Sequence, residues 1–516
     1  MSRIISIAIA AVLVFTLLSG CSGDASEPAR RAGNVPAGES PRGAVKIKYV
    51  VPGVESRDHM EVMAAVNRKL ADDGIGVEVE QRFIPPDVWE QKINLMLSMG
   101  EEFDLFHIMQ DRVPFSTYMG KGALADITAS VEKYGSHLKK AIPQDMWDGA
   151  QAEGKTYTVP TYWVEMASEG QFDIRLDMLR QNHLDVPRTP EQLLQTMQVV
   201  MNNWKGKRKP YLPVKGDFDP IAVHTTVLHR AYDSFPFTVK DKLFYVNQSG
   251  DVLSWIETPE FRKDAEFMRK AYTMGLLHPD LLVMKQEQVK AQLDSGEWFV
   301  YFGTGGSLGA LRKVNPAAVN TDVDAVYFRP EKPYLRPLTI KNSNAVPVTS
   351  KHADEAVRFL DWIYASQDNY DLIQYGFEGR HYTTDGERDV QKLKGYSGSE
   401  TQLGNIHFIR TNKVSGLPAN NRVLYQPNDQ AQNSVAANFI FDPTPVKAEY
   451  ANVMSEAAAS VTPIYMGVLA YDEAFPAALD RMKSAGLDRV VAEYVRQFRE
   501  WRGASGKSSI EGRDSQ

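Results

Sequence analysis

The sequence predicts an α/β protein made of two lobes, and three observations carry that prediction. The chain has 516 residues, more than one compact core accommodates. Its first patterned stretch reads strand, helix, strand, helix, strand, an order that implies a parallel sheet with right-handed crossovers. Hydrophobic content of 43% with 24% charged residues describes an ordinary globular chain. The net charge of −7 is spread along the chain, which argues against nucleic acid as a partner.

The N-terminus precedes the folded part. Arg3, the apolar run Ile4 to Leu18 and the small residues that follow have the layout of a secretory signal. The run is too short for a comfortable transmembrane helix. Leu18-Ser19-Gly20-Cys21 resembles the lipobox of bacterial lipoproteins, whose cysteine is acylated and becomes the new N-terminus. We therefore expect a signal peptide at 1–20, then lipidated Cys21 and a flexible linker through 44. The segment 22–43 is rich in Ser, Gly, Pro and Ala, and buries too little to offset its ordering entropy. Cys21 is the only cysteine, so no intramolecular disulfide forms. No later apolar run approaches membrane-spanning length.

Order begins at Val45. Val45 to Val51 has a period near two and ends at Pro52-Gly53. Asp58 is a candidate N-cap for a helix whose Met60, Met63, Ala64, Asn67 and Leu70 share a face. Val77, Val79 and Gln81 form a second strand, Pro85-Pro86 opens a second helix, and Phe103 to Met109 is a third strand. In such sheets ligands bind beyond the carboxyl ends of the strands. That places Pro52 to Arg57 and Gln110-Asp111-Arg112 at the candidate cleft. Gly154 to Pro160 reads as a strand leaving the first lobe. Helices are expected at Arg175 to Asn182, at Thr189 to Asn202 behind the capping box Thr189-Pro190-Glu191-Gln192, after Thr258-Pro259, and at Ala353 to Ala365. A final helix carries Val490, Tyr494, Phe498 and Trp501, and the tail 503–516 is expected to be disordered.

Several stretches together resemble the extracellular solute-binding proteins of bacterial ABC importers, in the carbohydrate-type cluster. They are Glu90 to Leu97 leading into Phe103-Asp104-Leu105, Gly122 to Ile127, Gly154 to Pro160, Asn344 to Pro347, and Tyr375 to Tyr382. Phe441-Asp442-Pro443-Thr444-Pro445-Val446 is similar to the C-terminal region of the longer lipoprotein members. The resemblance implies a two-lobe periplasmic-binding-protein-like fold, with hinge strands and a cleft that closes on a solute. It places lobe one at 45–158 plus 338–378 and lobe two at 159–337 plus 379–502. It implies a lipid-anchored monomer on the outer side of the cell membrane, delivering an oligosaccharide to ABC permease subunits without breaking a bond. No cofactor and no metal are expected.

Sugar sites combine aromatic platforms with carboxylates, amides and Arg. Gln110 and Asp111 qualify by the strand-end rule, and Tyr162, Trp163 and Glu165 by lying just past the first crossing. Glu378, Arg380 and His381 lie in a family-like turn, with a hinge ion pair as the alternative reading. Gly303 and Thr304 open a glycine-rich turn whose backbone amides can approach a ligand. Trp89, Trp204, Trp255 and Trp362 read as core.

A competing enzyme reading rests on Gly305-Gly306-Ser307-Leu308-Gly309, which matches the G-x-S-x-G nucleophile elbow. Asp322, Asp324 or Asp361 with His352, His381 or His407 would complete a serine hydrolase. Against it, the preceding strand ends at Phe302, too early for a tight elbow. A sensor or adhesin on the same scaffold would bind a ligand without transporting it, and a peptide could take the place of the sugar. There is no H-E-x-x-H, C-x-x-C or Walker loop.

Overall fold

A computed structural model describes residues 43–504 except 111, 153, 163–170, 215–222, 285, 303–306, 385–388, 399 and 413–430. The first lobe is organised by a five-stranded sheet. Its strands are β1 (Val45–Pro52), β2 (Val77–Ile84), β3 (Leu105–Met109), β4 (Thr158–Pro160) and β5 (Asn342–Ala345). The spatial order is β2-β1-β3-β5-β4. β1 runs parallel to both β2 and β3, while β5 is antiparallel to β3 and β4.

A sheet with parallel strands is stable when helices cover both faces, and β1 shows why this one is. Ile47, Tyr49 and Val51 enter one core, and Val50 enters the core on the opposite face. Helix His59–Asp72 packs on the first face with Val62, Met63, Val66 and Leu70. The expected face is thus rotated, because Met60 is 73% exposed. Helix Trp89–Met99 covers the other face with Trp89, Ile93 and Met96. It stops where Gly100 turns left-handed, at φ 66°, letting the Gly100 and Glu101 amides cap Leu97 and Met96. Helices Ala353–Ile363 and Gln367–Tyr375 return to the first face, with Ala356, Val357, Leu360 and Ile363 buried as their spacing predicts.

One expectation about lobe membership is corrected. Residues from 379 onward are expected in lobe two, yet Tyr382, Val390, Tyr396, Leu403 and Ile409 pack into the first core. The short strands Tyr382–Thr384 and Asp389–Lys392 carry too few apolar residues to form a core of their own, and use the one already present.

The second lobe gathers a separate core. Strand Gln171–Arg175 lies between Val300–Tyr301 and Val323–Tyr327, antiparallel to both. Strands Phe237–Lys240, Phe244–Asn247 and Val252–Ser254 form an antiparallel meander beside them. Helices Pro190–Asn203 and Pro259–Thr273 begin at Thr189 and Thr258, whose hydroxyls accept from the Gln192 and Phe261 amides at 3.2 Å. At the first of these, the Gln192 carboxamide accepts from the Arg188 amide, one residue earlier than a standard capping box. Helices Lys447–Glu456, Tyr471–Ser484 and Leu487–Ala504 close the lobe, with Val490, Tyr494 and Phe498 buried. No described helix is long and apolar enough to cross a membrane.

The chain passes between the cores after Pro160, between Leu335 and Ile340, and between Ile409 and Ala436. Leu335–Arg336 and Gln432–Asn433 pair in parallel, so the second and third of these passages are hydrogen-bonded to each other.

Candidate functional site

The carboxyl ends of β1, β2, β3 and β4 point the same way, and β5 begins at that end. The first passage leaves from this edge and the second arrives at it, which makes it the candidate cleft. Gln110 follows β3 directly. Its amide donates to the Lys341 carbonyl at 2.7 Å, its Oε1 accepts from the Phe115 amide at 2.8 Å, and its Nε2 donates to Ser343 Oγ at 3.3 Å. The side chain therefore ties the turn after β3 to the strand that returns from lobe two.

A cavity of about 140 Å³ spans the two lobes here. Gln110 and Arg112 line it from lobe one, Lys240 and Asp241 from the hairpin tip of lobe two, and Thr339 and Asn438 from the connecting segments. The Thr339 hydroxyl donates to the Asn438 side-chain carbonyl. Nearby, Asp145 of lobe one accepts from Arg336 at 3.1 Å and from Asn433 at 2.8 Å. Those donors sit on the two paired passages, so one carboxylate holds both.

Beneath the strand ends lies a buried polar ladder. Tyr49 donates to Asn344 Oδ1 at 2.7 Å, Asn344 Nδ2 donates to the Gln402 carbonyl at 2.7 Å, and Thr161 donates to the same carbonyl at 3.2 Å. His107 bonds Asn342 Oδ1 through Nε2 at 2.9 Å. Burial pushes the His107 imidazole down to about 4, against the opposing hydrogen bonds to Asn342 and Asn344. It is neutral at physiological pH and donates from Nε2.

The remaining expected site residues fare differently. Tyr162 is half-buried against the first core. Its amide donates to the Tyr364 hydroxyl at 3.1 Å, and its ring meets His407 edge-on at 5.7 Å. It neither packs in lobe two nor stands alone as a platform. His381 has a side chain 0% exposed and bonds Asp58 at 3.2 Å through Nε2, so it braces the turn. Arg380 pairs with Glu61 at 2.7 Å and Asp58 at 3.3 Å, which makes this group an anchor for the first helix. Glu378 is exposed and accepts from the Thr384 hydroxyl at 2.8 Å. Asp111, Trp163, Glu165, Gly303, Thr304 and Cys21 lie outside the described residues. Trp89, Trp255 and Trp362 are core at 2%, 0% and 3% exposure, and Trp204 packs partly buried against the lobe-two core.

A family model described as bacterial extracellular solute-binding protein matches residues 63–379, more than half of the chain. This chain belongs to that family. A domain of unknown function matches residues 435–503 of this solute-binding protein. A carbohydrate ABC transporter substrate-binding protein of Streptococcus pneumoniae is 23% identical over 467 residues, covering 86% of this chain and 88% of its own. Lipoprotein LipO of Bacillus subtilis is 20% identical over 358 residues, covering 63% of this chain and 68% of its own. Among solved structures, the N-glycan transport solute-binding protein NgtS of Streptococcus pneumoniae aligns with a TM-score of 0.74 at 20% identity. That alignment covers 89% of this chain and 99% of NgtS. The substrate-binding protein FusA of Streptococcus pneumoniae, in complex with kestose, aligns at 0.61 and 14% identity, covering 89% and 100%.

In this solute-binding protein the serine of the G-x-S-x-G match begins helix Ser307–Val314 and is 1% exposed. It donates to the Asp173 carboxylate, an acid upstream of it in the chain. Four of the six candidate partners are engaged elsewhere: Asp322 with Arg180, Asp361 with His137, His381 with Asp58, and His407 with the Ala141 carbonyl. Among the described residues, no group of three or more His, Cys, Asp or Glu is placed to hold a metal ion.

Arg230 is a residue that pattern reading misses. It is 1% exposed, and its guanidinium donates to the carbonyls of Arg329 at 3.2 Å, Pro333 at 3.0 Å and Pro330 at 3.4 Å, and to that of Lys332. Tyr334 lies under it at 4.5 Å, and Lys332 returns a bond to the Tyr232 carbonyl. Arg230 thus fixes the loop that leads from strand Val323–Tyr327 into the second passage. Arg230→Ala is expected to cost about 3 kcal/mol by removing four hydrogen bonds from a buried guanidinium and the packing of its side chain. A lowered urea midpoint checks it, and a loss within 0.5 kcal/mol, roughly that of an ordinary surface change, would refute the assignment.

Proposed function

We propose that this protein is a lipid-anchored receptor that captures an oligosaccharide between its lobes and hands it to an ABC permease. The observation that carries the reading is the polar cavity between two separately cored lobes, in a chain of the solute-binding family. A ligand touching both lobes stabilises the closed arrangement over the open one, and the paired passages are where the bending occurs. The carbohydrate class is supported by the relatives, one described as a carbohydrate transporter component and others crystallised with Man5GlcNAc or kestose. The buried Ser307, bonded to an acid and not to a histidine, supports capture without hydrolysis.

A thermal-shift screen of the soluble chain from Val45, against Man5GlcNAc, kestose and a peptide mixture, tests this. A ligand at a hundred times its Kd stabilises by about 2.7 kcal/mol. A shift with a saccharide supports the reading, whereas a shift with peptides alone would replace carbohydrate by peptide. The anchor has its own test. Cys21→Ala protein should leave the detergent phase for the aqueous phase in a detergent partition, with binding intact, and retention in the detergent phase would remove the lipid from the proposal.

A further inference from the structure

The hairpin tip of lobe two carries an unusual backbone. The Leu243 amide donates to the Lys240 carbonyl at 3.2 Å, closing a turn in which Asp241 has φ 48° and Lys242 φ 66°. Two consecutive left-handed residues define the mirror-image hairpin turn that favours Asn-Gly or Asp-Gly, since a side chain there crowds the backbone. This tip has no glycine. Non-glycine residues held in this region cluster at ligand clamps, where the side chain is wanted despite the strain.

Asp241 and Lys240 line the cavity between the lobes, across from Gln110 and Arg112 and beside Thr339 and Asn438. We infer that Asp241 is a ligand-contacting carboxylate of a single-ring sugar subsite in this cavity. The donor set matches adjacent hydroxyls: a carboxylate accepts from two, a planar guanidinium donates to two, and side-chain amides do both. Phe441 adds an apolar wall against which a ring's C–H face can rest. At about 140 Å³ the space suits one ring of a longer chain whose remainder lies elsewhere in the cleft. Asn438 and Phe441 fall within the region matched only as a domain of unknown function, and the subsite gives its first residues a role.

This rests on the oligosaccharide reading, so the experiment separates the two. Wild type, Asp241→Gly and Lys242→Gly are titrated calorimetrically with Man5GlcNAc, kestose and maltotetraose, and each variant is melted without ligand. Glycine relaxes the turn at either position, so both variants should melt no lower than wild type. Asp241→Gly is expected to weaken the binding of at least one of these saccharides tenfold or more, while Lys242→Gly stays within twofold. Unchanged affinity in Asp241→Gly overturns the subsite and leaves the receptor intact. Equal losses in both variants overturn it too, since the turn's shape and not the carboxylate would then matter. If wild type binds none of the three saccharides, the oligosaccharide reading falls and the subsite with it.

Discussion

Between pH 6.5 and about 4 the folded protein is expected to lose stability steeply, because two histidines are folded in neutral form. His107 and His224 are both pushed from 6.5 down to about 4, chiefly by burial. For His224, Asp264 opposes the shift and His229 adds to it. Above pH 6.5 neither the folded nor the unfolded chain protonates these rings, and stability is flat. Between the two values only the unfolded chain takes up the protons, so folding weakens as pH falls. Below about 4 both states are protonated and the loss stops growing. Each ring contributes on the order of 3 kcal/mol to the change. His224 is the cleaner probe. It stacks on Tyr465 at 4.1 Å, and neither ring nitrogen has a hydrogen-bond partner among the described residues. His224→Phe keeps the stack and removes the titration, so its urea midpoint should depend about half as steeply on pH. An unchanged slope would show that the ring is not neutral in the fold.

Asp264→Ala is the substitution expected to damage lobe two most. The carboxylate is 0% exposed and accepts from His229 at 2.9 Å, Tyr232 at 2.7 Å and Tyr465 at 3.2 Å. Burial alone would raise its titration, yet the His229 and His224 rings and these hydrogen bonds hold it below the usual carboxylate value of 3.8. Its own contribution is therefore lost only below that value, beneath the histidine window. Removing it takes this acceptor from two buried donors, His229 and Tyr465, and from the partly buried Tyr232, at a cost of about 4 kcal/mol. Urea denaturation followed by tryptophan fluorescence reads this out, since Trp255 lies 5.3 Å from His229. Asp264→Asn keeps a carbonyl oxygen and should recover part of the loss. A cost below about 1 kcal/mol for alanine would mean that the donors find other partners.

The first lobe is largely legible in sequence because its elements are long and periodic. Val45 to Val51 and Ala353 to Ile363 each display a repeat that only one element type satisfies. Legibility fails where an element is short or its partner is remote. Met60 sits one position from the buried face, because Val62 and Val66, absent from the expected stripe, turn the helix toward the sheet. Tyr382 joins the first core from a strand of three residues and Ile409 from an irregular segment, neither of which carries a period to read. The candidate site divides the same way. Gln110 follows from the strand-end rule, while Asp241, Thr339 and Asn438 come from three distant segments that meet only in the folded chain. Arg230 gives no signal at all, since its acceptors are backbone carbonyls about a hundred positions away.

β5 has a consequence for how the protein is made. It lies between β3 and β4, yet it is contributed by residues 342–345, long after both neighbours in the chain. While the chain is being synthesised, β4 has no strand to pair with until that segment emerges. The second lobe also finishes late, since Val490, Tyr494 and Phe498 complete its core from the last helix. Neither half can reach its final form on a partial chain, and such distant pairing slows folding in general. In a protein of an extracellular solute-binding family, this delay has a plain consequence: the polypeptide closes up only once the segments at 342–345 and 487–504 have both been made.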